Sequence, residues 1–134
     1  MDDPAEILER SRTIAVVGMS TDPAKAAYSV PAELQAAGFR IVPVNPNAAE
    51  ILGETAYASL ADVPDPIDVV EVFRPAEEAP DVARQAVEIG AKAVWLQEGI
   101  RSAEARRIAK EAGLDYVEDR CMGVERSLRG IVKR

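Results

Sequence analysis

Short polar groups in this chain repeatedly follow apolar runs: Gly18-Met19-Ser20, Asn45-Pro46-Asn47, Phe73-Arg74-Pro75, Gln97-Glu98-Gly99 and Asp119-Arg120-Cys121. The chemistry they suit is anion capture. A glycine after a buried strand lets backbone approach a diphosphate, and a serine beside it adds a hydroxyl donor. Lys25 and Arg74 are the candidate phosphate cations, Arg74 the better placed because it ends a strand; the plainer alternative for each is a solvated surface side chain. Glu71 and Glu98 are candidate acid–base carboxylates, against the alternative of a solvated strand end or a hydrogen-bonded turn. Cys121 could meet a thiol ligand or be a half-buried core cysteine. The chain has no histidine, which removes imidazole acid–base catalysis, Ser-His-Asp and Cys-His pairs, and histidine metal ligands. No catalytic set and no metal site is expected.

The elements that must hold these groups alternate along the chain. Asp3 and Pro4 open a short helix carrying Ile7 and Leu8. Thr13 to Val17 reads as a strand buried on both faces, since it lacks polar alternation. A long loop, Gly18 to Ala27, leads to a helix expected from a Ser29 cap, with Pro31 in its first turn and Gly38 as its stop. Phe39 to Val44 is a second strand, and Pro43 should make it fray or sit towards an edge. Between Ala48 and Pro66, residues 54–57 suggest a short strand and residues 59–63 a single helical turn. Ile67 to Phe73 is a third main strand. Pro75 opens a helix running to Ile89, unless Pro80 delays its start. Ala93 to Leu96 is a strand with Trp95 in the core, Ser102 caps a helix ending at Gly113, and Leu114 to Val117 is a last short strand. The basic tail from Glu118 is expected to form a final helix or turn. The pattern predicts an α/β fold: one doubly wound Rossmann-like domain spanning residues 1–134, with a mostly parallel sheet of about five strands covered by helices on both faces.

Composition narrows the partners. The 134 residues carry a net charge of −7, so their field repels nucleic acid and anionic membranes, and any phosphate must be held by local donors. With 48% hydrophobic and 29% charged residues the chain is of the globular class, and its one cysteine suits a reducing compartment. The first eleven residues are too acidic and too poor in apolar side chains for a signal peptide, and no apolar run approaches a membrane span, so the expectation is a cytoplasmic protein.

The nucleotide is narrowed by what is missing. A dinucleotide site wants G-x-G-x-x-G and an acid at the end of the second strand. Here Gly18-Met19-Ser20-Thr21-Asp22-Pro23 lacks the second and third glycines, and Asn45 stands where the acid should be. A Walker-type P-loop is also absent.

The chain resembles the small stand-alone CoA-binding proteins, similar to the N-terminal domain of the succinyl-CoA synthetase α subunit. Residues 15–20, Tyr28-Ser29-Val30-Pro31, Val42-Pro43-Val44-Asn45-Pro46, residues 60–64, residues 70–75, residues 94–99 and Asp119-Arg120-Cys121 carry the resemblance, through their order and spacing from about Ile7 to Glu125. It implies that the nucleotide part of coenzyme A lies over Gly18, Met19, Ser20 and the Asn45-Pro46 turn. The diphosphate would sit near Lys25, Tyr28 and Ser29, and the pantetheine arm near Phe73, Arg74, Pro75, Gln97, Glu98 and Gly99. At one point the sequence departs: Asn47 and Ala48 follow Pro46 where the synthetase domain has a basic residue. The resemblance implies binding of CoA or a short acyl-CoA without catalysis. Two alternatives stay open: a CoA-responsive subunit that self-associates or docks onto a larger acyl-CoA enzyme, and a minimal NAD- or CoA-dependent enzyme using Glu98.

Overall fold

The computed structural model describes residues 2–134. In chain order the elements are α1 (Pro4–Arg10), β1 (Thr13–Val17), α2 (Ala26–Ala36), β2 (Arg40–Val44), the hairpin β3 (Glu50–Ile51) and β4 (Glu54–Thr55), and a 3-10 turn at Leu60–Asp62. They continue with β5 (Val69–Val72), a second 3-10 turn at Ala76–Glu78, α3 (Ala79–Glu88), β6 (Ala93–Leu96), α4 (Ala103–Glu111), β7 (Asp115–Val117) and α5 (Met122–Arg129). Side-chain caps explain two starts. Asp3 accepts the Ala5 amide at 2.9 Å at α1, and Ser102 accepts the Ala105 amide at 3.0 Å at α4.

The main sheet has the order β2-β1-β5-β6-β7 and every pair in it is parallel. It is the expected doubly wound Rossmann-like α/β fold. From β1 the chain crosses to β2 on one side; from β5 it moves away on the other. This reversal leaves a crevice between the carboxyl ends of β1 and β5, where ligands of open α/β sheets bind. β2 is the edge strand, as Pro43 required. The Pro43 carbonyl accepts the Tyr57 amide on the outer side and Asn45 N–H donates to the Tyr57 carbonyl, so the missing proline N–H falls outside the ladder to β1.

Side chains alternate between two apolar layers. Ile14, Val16, Val69, Trp95 and Val117 pack with Ile7, Leu8, Leu34 and Met122 from α1, α2 and α5. Ala15, Val70, Val72, Val94, Leu96 and Tyr116 pack with Ala83, Ala86, Ala105 and Ala109 from α3 and α4. Asp68 ties the two central strands at their start by accepting the Arg12 and Thr13 amides, each at 2.9 Å.

One helix begins elsewhere than the sequence indicated, and another takes the later of its two expected starts. α2 starts at Ala26, with Lys25 in the cap position, so Ser29 and Pro31 are interior and Ser29 caps nothing. The turn that decides this is local: Asp22 accepts the Ala24 amide on its side chain at 3.0 Å and the Lys25 amide on its carbonyl at 3.0 Å, aiming the chain into a helix a turn early. α3 starts at Ala79; the segment after Pro75 forms only the 3-10 turn, because Pro80 fits the first turn of a helix and not its interior. Glu71 is also corrected. It is neither a solvated strand end nor part of a hydrogen-bonded turn: it lies inside β5, fully buried, with no partner for either carboxylate oxygen.

Candidate functional site

At the end of β1, Gly18 adopts φ +83°, open to glycine at little cost, and its amide donates to the Val44 carbonyl. A Cβ there would lie 2.7 Å from Cδ of Arg74 and 3.1 Å from the Phe73 carbonyl oxygen. The aliphatic stem of Arg74 therefore rests on the Gly18 turn, bridging the crevice between β1 and β5. Ser20 donates its amide to the Ala27 carbonyl at 3.1 Å. That carbonyl is available because the residue four positions on is Pro31, which has no N–H to give it. The Ser20 hydroxyl accepts the Asp22 amide at 3.0 Å and keeps its own proton to donate.

α2 then begins without a side-chain cap: the Lys25 and Tyr28 amides turn to the Asp22 and Lys25 carbonyls, and the Ala26 and Ala27 amides, at the positive end of the dipole, have no partner among the described residues. Lys25, at that cap, belongs to none of the ion pairs formed among the described residues. On the other side of β1, Asn45 donates to the Met19 carbonyl at 2.9 Å and accepts the Asn47 amide at 2.7 Å. One amide side chain thus fixes the β1 loop to the β2 turn.

These groups surround a cavity of about 550 Å3, within the range of small-molecule sites. Gly18, Met19, Ser20, Lys25, Asn45, Pro46 and Arg74, all singled out from sequence, line it. Asn47, Ser59, Glu78 and Gln85 join them, with Val44, Leu60 and Val82 as an apolar wall. Glu78 forms a forked pair with Arg74, Nε to Oε1 at 3.1 Å and Nη2 to Oε2 at 2.9 Å. The hydrogen bonds raise the arginine's pKa and hold the Glu78 carboxyl below the usual carboxylate range. The α3 residues were missed because helix-face spacing marks core positions and says nothing of which helix end overhangs a strand end; the Arg74–Glu78 spacing of four was the one available signal.

Other sequence candidates fall outside this cavity. Tyr28 and Phe73 are half-buried against the apolar layer of α1, α2 and α5. Ser29 is exposed on α2, and Pro75 is exposed before the second 3-10 turn. Gln97 is buried and accepts the Met122 amide at 3.3 Å. The Gly99 amide donates to Asp119 at 2.7 Å. Glu98 lines a separate depression of about 300 Å3 with Asp119, Arg120, Cys121, Val124 and Glu125. Cys121 is partly buried there and packs on the α2–α5 layer. Trp95 is core, its indole N–H donating to the Arg120 carbonyl at 2.8 Å. Among the described residues no cluster of three or more His, Cys, Asp or Glu side chains could hold a metal ion, and no helix is long and apolar enough to cross a membrane.

A doubly wound sheet whose switch-point cavity holds an uncapped helix start, a glycine turn and two cations is a Rossmann-like domain equipped for a phosphate-bearing ligand. Sequence comparison gives the family. Residues 12–127 match the CoA binding domain, and the chain belongs to that family. It is 43% identical over 119 residues to the Bacillus subtilis protein YneT, covering 89% of this chain and 88% of that one. It is 31% identical over 133 residues to the ADP-forming acetate–CoA ligase II of Archaeoglobus fulgidus, covering 90% of this chain but 20% of the ligase. A solved Thermus thermophilus structure superposes with a TM-score of 0.90 at 39% identity, covering 96% of this chain and 99% of its own.

Proposed function

We propose that this chain binds coenzyme A or a short acyl-CoA in the β1–β5 crevice and holds it without transforming it. The observation that carries the reading is the convergence of the uncapped α2 start, Lys25, the Gly18 turn and Arg74 on one cavity, in a chain of the CoA binding domain family. The diphosphate lies against Gly18–Ser20 and the α2 amides, where backbone donors and the helix dipole favour an anion. The nucleotide lies by the Asn45-Pro46 turn and the Leu60–Val82 wall. The pantetheine arm leaves past Arg74 along the carboxyl edge of the sheet towards Glu98 and Gly99. The reading includes no bond-making step. The one carboxylate lining the cavity, Glu78, is committed to Arg74, and the chain has no histidine.

A ligand that prefers the folded chain stabilises it by about 2.7 kcal/mol at a hundredfold excess over Kd, a rise in Tm on the order of 10 °C. CoA should give such a rise and NAD and ATP should not; an unchanged Tm in millimolar CoA rejects the reading. A second reading, docking onto a larger acyl-CoA enzyme, is favoured by the ligase in which the matching region is 20% of the length. Co-purification with and without CoA tests it, and a partner set indifferent to CoA removes a CoA-responsive role.

A further inference from the structure

Arg74 and Glu78 both line the cavity and are equally exposed, at 47% each. The stem of Arg74 is laid over Gly18, so its position is set by the fold and chiefly the guanidinium is free to turn. Glu78 occupies the cap position of α3, yet its side chain makes no bond to the first amides of that helix; both oxygens go to Arg74. The cavity therefore offers two cations and one anion, and the anion is placed on the better cation. A carboxylate and a phosphate present similar oxygen pairs to a guanidinium fork, so one can replace the other without moving the arginine's backbone. A displaced Glu78 carboxylate would still have a favourable place, at the positive end of α3.

We propose that Glu78 is a built-in competitor for the ligand's phosphate. It holds the Arg74 guanidinium in the free chain and yields it to a phosphate or diphosphate at the Gly18–Ser20 turn. It thereby lowers affinity for every phosphate ligand and favours doubly charged phosphate groups over single carboxylates. The inference rests on the phosphate-binding reading of the cavity and adds a residue that sets its threshold.

The test is calorimetric binding of CoA, inorganic pyrophosphate and pantetheine to the full chain carrying Glu78→Gln, Arg74→Gln or both. Glu77→Gln, outside the cavity on the same turn, serves as a control for general charge. Glu78→Gln should tighten CoA and pyrophosphate about threefold to fivefold, the scale of a half-exposed ion pair. It should leave pantetheine unchanged and have no effect once Arg74 is glutamine. An equal gain in the Arg74→Gln background, or from Glu77→Gln, would overturn the exchange, as would weaker or unchanged binding by a folded Glu78→Gln chain. The arms separate the two readings. CoA binding indifferent to Glu78→Gln keeps the CoA site and removes the exchange. Pyrophosphate tightening without any CoA binding keeps the exchange and removes the CoA reading.

Discussion

Gly18 joins two constraints that are usually met by different residues. Its φ of +83° is costly for any side-chain-bearing residue, and the space over its α-carbon is already filled by Arg74. Gly18→Ala should therefore destabilise the chain by about 1–2 kcal/mol through backbone strain, and should push the Arg74 stem off the turn. We expect CoA affinity to fall about tenfold, the equivalent of about 1.4 kcal/mol, with denaturant unfolding and calorimetry checking the two effects separately. Asn45 shows the same economy. A carboxylate there would keep the Asn47 amide but lose the donor to the Met19 carbonyl, and would set its charge against that oxygen. The absence of an acid, which counts against NAD, is also a structural requirement of this loop. The sequence displayed Gly18 and Arg74 as strand-end residues, but their contact depends on β5 lying beside β1. That adjacency is a property of strand order, which no local motif carries.

The β1–α2 unit explains how a loop with one glycine can be well formed. Pro31 within α2 leaves the Ala27 carbonyl without its helical donor, and the Ser20 amide takes the place. A helix defect is thus the fastening for the phosphate-facing loop. Pro31→Ala would restore a competing N–H. We expect hydrogen exchange at the Ser20 amide to quicken about tenfold, the worth of roughly one backbone hydrogen bond, while α2 itself stays helical. Unchanged exchange would show that the loop is held by other means. Strand positions were legible to within a residue or two because buried parallel strands are short apolar runs bounded by turn residues. The start of α2 was not, since Ser29 looks like a cap and the Asp22 turn that overrides it combines one backbone bond with side-chain bonds from Ser20 and Asp22, a set that no single residue signals. The hairpin at Glu50–Thr55 was half visible, because two-residue strands leave almost no periodic signal.

Across the whole molecule, two carboxyl groups, the partly buried Asp68 just before β5 and the fully buried Glu71 within it, pull stability in opposite directions with pH. For Asp68, burial would raise the pKa, but the Thr13 and Arg12 amides and Lys92 outweigh it and leave it lowered. A lowered pKa contributes stability that is present above the unfolded value near 3.8 and is lost as pH falls through the folded one. Glu71 is the reverse. Burial without any partner raises it from 4.5 to about 8, so the native chain keeps a proton that the unfolded chain releases. Stability should fall by about 1.4 kcal/mol per pH unit over that interval and level off above pH 8 or so. The sequence hid this because Val69-Val70-Glu71-Val72 is buried on both faces and has no alternation to show which way the carboxyl points. The two effects together place maximal stability between about pH 4 and 5, below the range usual for globular proteins. Glu71→Gln, which cannot ionise, should abolish the decline from pH 4.5 to 8 and leave intact the acid limb to which Asp68 contributes with Asp2, Glu78 and Asp119. Urea unfolding at fixed temperature across pH 4 to 9 would measure both limbs, and a variant whose decline matches that of the parent chain would mean that Glu71 finds a partner in solution.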